Sequence, residues 1–501
     1  MNAVRHDWAW PEDARSGQAL LDVAASRAID QAAIASGIPE IELMERAGAS
    51  VAAAIRSRWS ERPVLVLTGP GNNGGDGFVV ARLLEEAGWP VTVAGVCGRD
   101  RLRGAARIAA DRWPGPIGPL DPSSPGEPGL IVDALFGTGL VRPLDGVVAG
   151  MVKAVNQSQV PVIAVDIPSG IDSDTGSILG EAVRADVTVT FFRRKLGHLL
   201  VPGRDCCGAV EFVDLEVPGQ IYASIPVSTF ANEPELWLSA FPWPNSVSHK
   251  YTRGHAVVLG GMVLTGAARL AAHGAQRIGA GLVTIAAHPS VAALYAGWRA
   301  DLMVAPIQDD VGFRSLLADR RRNAVLLGPG AGADSRLQAA IGAALDAEVG
   351  LVLDADCFAV LGDRANGLFS RLNDCVLLTP HEGEFQRVFG DPRRRLAAAL
   401  NAARLSGAAV LLKGSDTIVA GPDGRAAINT GAPPDLATGG SGDVLAGLAV
   451  GLIANRLPPV LAGLIACWVH GRAAALFGPG LIAGDIPDLV PKVLSELRHR
   501  A

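Results

Sequence analysis

The β-branched run Val64-Leu65-Val66-Leu67-Thr68 passes directly into Gly69-Pro70-Gly71-Asn72-Asn73-Gly74-Gly75-Asp76-Gly77 and then into a helix-like stretch, Phe78–Ala87. Few folds accept that order. An apolar strand, a tight glycine turn and a helix start make the first βα unit of a parallel sheet covered on both faces. Gly69, Gly71 and Gly74 satisfy the G-x-G-x-x-G spacing, in which backbone N–H groups approach a phosphate at a helix N-terminus. The spacing alone leaves open a tight turn that binds nothing and a dehydrogenase-type dinucleotide turn. Asn72, Asn73 and Asp76 add side-chain oxygens that a simple turn of this kind does not need.

Strand-like runs continue at Val91–Val96, Leu130–Val132, Val160–Val165 and Val187–Phe191, and Ala28–Arg58 reads as one or two amphipathic helices. A second series follows: Ala256–Leu259, Leu282–Ile285, Ala324–Leu327, Leu351–Leu353, Cys375–Leu378, Ala409–Leu412 and Thr417–Ala420. With 501 residues, two or three domains are expected. Periodicity is lost in the proline-rich stretch between the series, so we expect an α/β domain over 1–217, a linker over 218–232 and a second α/β domain over 233–501. Hydrophobic residues make up 49% and charged residues 19%, which suits large cores rather than disorder. The net charge of −6 and the lack of a long basic run argue against nucleic acid as a partner. The apolar runs Val444–Ala454 and Val460–Val469 are each about half the ~20 residues that cross a bilayer, so we expect buried helices and no membrane. Six cysteines without a CxxC pair, and no signal-type stretch at the start, suit reduced thiols in a cytoplasmic protein. The apolar helices leave a homo-oligomer open.

Two further strands of the first series end in chemistry-bearing loops, Asp133-Ala134-Leu135-Phe136-Gly137-Thr138-Gly139-Leu140 and Asp166-Ile167-Pro168-Ser169-Gly170. Carboxyl ends of parallel strands line the ligand crevice of a doubly wound sheet, so Asn73, Asp133, Asp166 and Ser169 should share one edge. Each Asp alone could cap a turn. Together with Leu43–Gly48 and Lys195-x-Gly197, these motifs resemble the NAD(P)H-hydrate epimerase family over residues 20–215, which implies a Rossmann-like domain. The resemblance implies a potassium ion near Asn73, Asp133 and Ser169. It implies substrate contacts from Asn72, Asn73, Gly74, Gly75 and Asp76, from Gly137, Thr138, Gly139, Leu140, Val141, Arg142 and Pro143, and from Asp166. A hydrated nicotinamide ring carries its hydroxyl on a carbon next to nitrogen, and inversion there needs proton transfer at oxygen. Asp166 and Lys195 could supply it, although within Arg193-Arg194-Lys195 the lysine also reads as surface charge.

In the second series, Lys413-Gly414-Ser415-Asp416-Thr417 follows a strand, and Thr438-Gly439-Gly440-Ser441-Gly442-Asp443 opens the apolar helix. Small residues at a helix N-terminus make an anion hole, with Asp443 beside the bound phosphate. A plain dipole-complementing Asp is the alternative. With His249-Lys250, Thr265-Gly266-Ala267 and Thr379–Glu384, these motifs resemble the nucleotide-dependent NAD(P)H-hydrate dehydratase family over 233–490, a ribokinase-like α/β fold. Departures are Met262, Cys357-Phe358 and Ser441. The resemblance implies hydrate contacts at Ala267, Gly330, His381 and Asp443, and nucleotide contacts at Lys413, Gly414, Ser415, Asp416 and Thr417 and at Thr438, Gly439, Gly440, Ser441 and Gly442. It also implies ADP as co-substrate and a magnesium ion, with Asp443 as the base. Such a fusion would restore NADH and NADPH from their hydrates. A vitamin- or sugar-type kinase joined to a Rossmann domain, and a dinucleotide sensor without catalysis, are the competing readings. The first leaves Asn72–Asp76 unexplained, and the second gives Asp443 no task.

Overall fold

The computed structural model describes residues 8–123, 127–364 and 367–500. The chain divides into two compact units. One is Pro11–Thr229, and the other joins the N-terminal residues up to Trp10 to Phe230–Ala501.

The first unit is built on strands β1 (Val64–Thr68), β2 (Val91–Gly95), β3 (Ile117–Pro119), β4 (Leu130–Ala134), β5 (Val162–Val165), β6 (Val187–Phe191) and β7 (Ala209–Val213). Their order is β3-β2-β1-β4-β5-β6-β7 and every pairing is parallel. Every residue of β1, β4, β5 and β6 is buried, as a sheet covered on both faces requires. Alternation divides the side chains between the faces. Leu65, Leu67 and Ile131 pack with Met151, Val152 and Val155 of the helix Gly146–Gln157, while Val66, Thr68 and Ala134 meet the helix Asn72–Glu86 at Gly77. The chain runs outward from β1 to β3 and then returns to the other side of β1 as β4. That reversal opens a crevice at the carboxyl ends of β1 and β4.

The second unit contains β8 (Thr229–Ala231), β9 (His255–Leu259), β10 (Leu282–Ala287), β11 (Met303–Pro306), β12 (Ala324–Leu327), β13 (Gly350–Leu353), β14 (Val376–Leu378), β15 (Ala409–Leu412), β16 (Thr417–Ala420) and β17 (Ala426–Asn429). The order is β11-β10-β9-β12-β13-β14-β15-β16-β17-β8, parallel from β11 to β15 and antiparallel at β15–β16–β17. The same reversal occurs at β9. Helices Thr265–Ile278 and Ser441–Ala454 lie in close contact, because a Cβ on Gly447 would stand 2.1 Å from the Ala271 carbonyl oxygen.

Both α/β series are as expected, with differences that have local causes. β3, β7, β8, β11 and β17 were not foreseen. β3 and β8 span three residues each, and β7 and β11 are exposed enough to lack an apolar run. The expected linker 218–232 is structured throughout its ends. Gly219–Ala223 is helical, with Ile221 and Tyr222 buried, and the Tyr222 hydroxyl donates to the Asp214 carbonyl at 2.9 Å. Phe230 and Ala231 belong to the second unit, so the division falls at 229/230. Residues 8–10 join that unit as well: Trp8 Nε1 donates to the Leu236 carbonyl, and Trp10 stacks on Phe230. The run Val460–Val469 lies in a longer helix, Pro459–Phe477, which by length and composition could cross a membrane, but 67% of its most apolar stretch is buried inside the unit. The six cysteines form no disulfide.

Candidate active sites

A cavity of about 550 Å³ lies at the carboxyl edge of the first sheet. The glycine loop forms one wall. Gly69 is obligatory there, since a Cβ would fall 1.6 Å from the Leu135 carbonyl oxygen. Asn72, Asn73, Asp76 and Gly137–Leu140 line the cavity, as does Asp166. Gly74 and Gly75 do not. Gly75 is held against Met44 and Ala106 and Gly74 against the Gly69 backbone, so both are glycines of close packing. Val141, Arg142 and Pro143 also lie off the wall, and Val141 is 84% exposed. The expected contacts at these five positions are therefore not brought together with the rest.

Asp166 is the centre of the site. Its backbone φ is +67°, a left-handed value rare for non-glycine residues that is characteristically found at functional sites. One carboxylate oxygen accepts from Lys195 Nζ at 2.7 Å and Thr190 Oγ1 at 3.0 Å. The other accepts from the Thr138 amide at 2.9 Å and from the Thr138 hydroxyl. Burial alone would lift this carboxyl, but the Lys195 charge and these bonds outweigh it and hold it far below the usual range. Lys195 is 1% exposed and donates also to Thr190 Oγ1 and the Phe191 carbonyl, so within Arg193-Arg194-Lys195 it is not a surface charge. His198 holds the loop. Its Nδ1 accepts from the Lys195 amide, so Nε2 carries the proton and donates to the Asp166 carbonyl at 2.9 Å. Burial, with Lys195 beside it, lowers this imidazole to about 4, so it stays neutral.

Asp133 and Ser169 meet as the strand ends predict. Ser169 donates to Asp133 from its amide (2.8 Å) and its hydroxyl (2.7 Å). Asp133 is completely buried, and burial pushes its carboxyl up to about 6, with only hydrogen bonds opposing and no cation acting on it. Asn73 Nδ2 is buried without a partner, while Asn73 Oδ1 and Asp166 Oδ2 each lie 2.9 Å from where a Cβ on Gly137 would stand. A buried carboxylate with neutral oxygens around it and no counter-charge fits a singly charged ion better than a small divalent one.

In the second unit Asp443 sits in the first turn of Ser441–Ala454, behind Gly440 in a left-handed conformation. Burial, then the charge of Asp354, lifts its carboxyl to about 6, against the pull of Lys413. Lys413 Nζ bonds the buried Asp354 at 2.7 Å and lies 3.8 Å from Glu384. Burial works against the lysine charge, but these two carboxylates keep it protonated. Ala267 and Gly330 are neighbours, with the Ala267 Cβ 3.3 Å from where a Cβ on Gly330 would stand. His381 caps the helix Glu382–Phe389. Its Nδ1 accepts from the Gly383 and Glu384 amides while Glu384 accepts from the His381 amide, so its ring is positioned by structure and remains exposed. The turn at 413–417 is held from within. Asp416 pairs with Arg395 at 2.6 Å, and Thr417 Oγ1 donates to the Gly414 carbonyl and accepts from the Gly414 amide, so the backbone of the turn is fixed before any ligand arrives. In the 438–442 loop Ser441 Oγ donates to the Leu436 carbonyl, which fixes the loop ahead of the helix. Met262 accepts from Arg336 at 2.8 Å. Among the described residues no group of three or more His, Cys, Asp or Glu could hold a metal by itself.

Sequence reasoning missed the part of Thr190 in the first site and the pairing of Lys413 with Asp354 and Glu384 in the second. Thr190 carried a signal, a hydroxyl in an otherwise apolar strand. The pairing of Lys413 with Asp354, 59 residues apart, carried none.

Comparison with known proteins agrees with this division. A family model described as NAD(P)H-hydrate dehydratase matches residues 256–490, and one described as the YjeF-related protein N-terminus matches residues 40–197. The bifunctional NAD(P)H-hydrate repair enzyme Nnr of Coxiella burnetii is 35% identical over 461 residues, covering 89% of this chain and 92% of the relative. Its namesake from Salinibacter ruber is 35% identical over 524 residues, covering 95% and 96%. A Bacillus subtilis ADP/ATP-dependent NAD(P)H-hydrate dehydratase, crystallised with ATP and magnesium, is 28% identical with a TM-score of 0.47 and covers 53% of this chain and 98% of its own.

Proposed function

This chain belongs to the family of bifunctional NAD(P)H-hydrate repair enzymes, and from that premise we propose how its two sites divide the work. It is both an isomerase and a lyase: the first unit interconverts the R and S hydrates, and the second dehydrates the S hydrate to NADH or NADPH. In the first unit the Asp166–Lys195 pair moves the proton on the hydroxyl of the hydrated ring. Gly137–Leu140 together with Asn72, Asn73 and Asp76 hold the rest of the molecule, with the start of the helix Asn72–Glu86 facing its phosphates. Asn73, Asp133 and Ser169 would hold a potassium ion, which would supply the positive charge that buried Asp133 lacks.

In the second unit hydroxide is a poor leaving group, so the hydroxyl is first phosphorylated. Asp443 takes the hydroxyl proton as the oxygen attacks the terminal phosphorus of the nucleotide. Phosphate then departs with the C–O bonding electrons, and proton loss from the adjacent carbon restores the ring double bond. With ADP as donor the products are AMP and phosphate. The amides at 439–442 stabilise the transferring group. A magnesium ion would be held chiefly by the nucleotide phosphates, in keeping with the lack of a carboxylate cage among the described residues, and would neutralise their charge. The observation that carries this reading is Asp443, lifted to about 6 at a glycine-lined helix start, where it is an effective base near neutrality. The test is the return of NADH absorbance from its hydrate with purified ADP or ADP-free ATP. A higher initial rate with ADP is expected. Faster turnover with ATP overturns the donor assignment, and no turnover with either overturns the dehydratase reading.

A further inference from the structure

The dehydratase site holds a carboxylate that phosphoryl transfer from the nucleotide does not use. In the turn after β13, Asp354-Ala355-Asp356, an aspartate stands on each side of Ala355, whose φ of +48° is a left-handed value rare away from glycine. Asp354 is committed to other groups: it accepts from Thr379 Oγ1 at 2.9 Å and from Lys413 Nζ at 2.7 Å. Asp356 stands at the start of the helix Cys357–Gly362 yet does not cap it, whereas Asp22, Asp309 and Asp334 each accept from amides of the helix they precede. Instead, one oxygen of the half-buried Asp356 accepts from the Gly332 amide at 2.8 Å. Its second oxygen has no hydrogen-bond partner among the described residues. Gly332 belongs to the loop that brings Gly330 to Ala267, and Gly328 presses that loop onto the turn, since a Cβ there would fall 1.8 Å from the Asp354 carbonyl oxygen. Asp356 is also near enough to Asp443 that its charge, after burial and the charge of Asp354, helps to raise that carboxyl. It therefore lies beside the loop expected to hold the hydrate and within electrostatic reach of the phosphoryl-transfer base.

Dehydration removes two protons from the hydrate, one from the hydroxyl and one from the neighbouring ring carbon. Asp443 takes the first as the oxygen attacks phosphorus, so it is already protonated when the second must leave. The other acid–base groups nearby are occupied. Asp354 and Glu384 face Lys413, and His381 Nδ1 accepts from the Gly383 and Glu384 amides, which leaves its ring no free lone pair. We propose that Asp356 is the second base of the dehydratase and takes the proton from the ring carbon next to the one that loses phosphate. The proposal rests on the dehydratase reading above. Phosphate departs with the C–O bonding pair while the ring nitrogen's lone pair forms a C=N bond. The free oxygen of Asp356 then takes the proton, the C–H pair becomes the ring C=C bond, and the C=N electrons return to nitrogen. Of the two protons removed, one ends on phosphate and one in solvent. The Gly332 amide holds the other carboxylate oxygen still, which orients the group without occupying the oxygen that reacts.

The test follows NADH return and AMP release together, in the full chain, with the purified S hydrate of NADH and ADP. Asp356→Asn keeps a carbonyl oxygen for the Gly332 amide and removes only the base. NADH return should fall by ~10²–10⁴-fold, as loss of a general base does. Hydrate-dependent AMP release should fall much less, because the C=N species denied a base adds water, becomes the hydrate again and is phosphorylated anew. The ratio of AMP to NADH formed should therefore rise by at least ~10-fold over the parent's. A merely structural role lowers both rates in proportion and leaves the ratio unchanged. If Asp356→Asn gives no cooperative melting transition for the second unit, Asp356→Glu replaces it. That variant keeps a base but displaces it, so its ratio should also exceed the parent's. NADH return by Asp356→Asn within about threefold of the parent, or a ratio equal to the parent's in the folded variant, overturns the role of Asp356. No NADH return by the parent overturns the dehydratase reading instead.

Discussion

Replacing Lys195 by methionine isolates the chemistry of the first site from its packing. The ammonium is 1% exposed and makes three bonds, to Asp166 at 2.7 Å, Thr190 at 2.7 Å and the Phe191 carbonyl at 2.9 Å. Methionine fills much of the same volume, so the loss is chiefly electrostatic. It strands a buried carboxylate, and removing one partner of a buried pair costs ~3–5 kcal/mol. For a unit of roughly 200 residues, 1 kcal/mol moves the midpoint by about 2–4 °C, so the melting transition of Pro11–Thr229 should fall by about 6–20 °C. The loss should depend on pH. In the parent, Asp166 lies below the usual carboxylate range, so its stabilisation is present above the ordinary carboxylate pKa and is lost as pH falls through the folded value. In the variant burial acts unopposed and lifts the carboxyl, which then takes up a proton as pH falls from neutrality. The deficit should be largest near pH ~8 and shrink towards pH ~5. Calorimetric scans across that range read it directly, and adding Asp166→Asn to the variant should recover most of the stability without activity. A deficit below about 1 kcal/mol at pH ~7, or one that grows as pH falls, would refute the reasoning.

Asp443→Asn should bind nucleotide yet lose ~10²–10⁴-fold in dehydratase turnover; turnover within about threefold of the parent excludes the base role. The parent's dehydratase rate should rise with pH through about 6, the range to which burial and Asp354 lift this carboxyl, and a stopped-rate pH series checks it. Asp133→Ala should abolish any stimulation of epimerisation by potassium while leaving dehydration intact, and equal epimerisation in potassium-free buffer counts against the cation site. A fragment starting at 227 should be more heat-stable than one starting at 233. The longer one keeps β8 and Asn232, whose amide bonds Asn429 and Leu464 and whose oxygen accepts from Trp237; equal melting temperatures would show that strand to be dispensable.

Much of this molecule is legible from local pattern. Runs such as Val64–Thr68 and Ala324–Leu327 are buried along their whole length because a doubly wound sheet covers both faces, and that requirement writes itself into every residue. Gly69 and Gly440 are likewise local demands, one for a backbone approach and one for a left-handed turn. The positions of Asp133, Asp166, Ser169 and Asp443 followed from strand ends and a helix start, which parallel topology gathers at one edge. Only the tertiary structure decided which way side chains turn and what answers them. Lys195 follows two arginines and could have faced water; the turn after β6, with Phe192 at a φ of +65°, sends it inward to Asp166. Asp356 stands where an aspartate ordinarily caps its own helix, and only the approach of the loop at 328–332 gives its carboxylate the Gly332 amide instead. Edge strands β7, β8 and β11 took their identity from a neighbour's free backbone groups rather than from an apolar run of their own. Electrostatic partners and sheet edges are set by residues far away in the chain, and local periodicity holds no record of them.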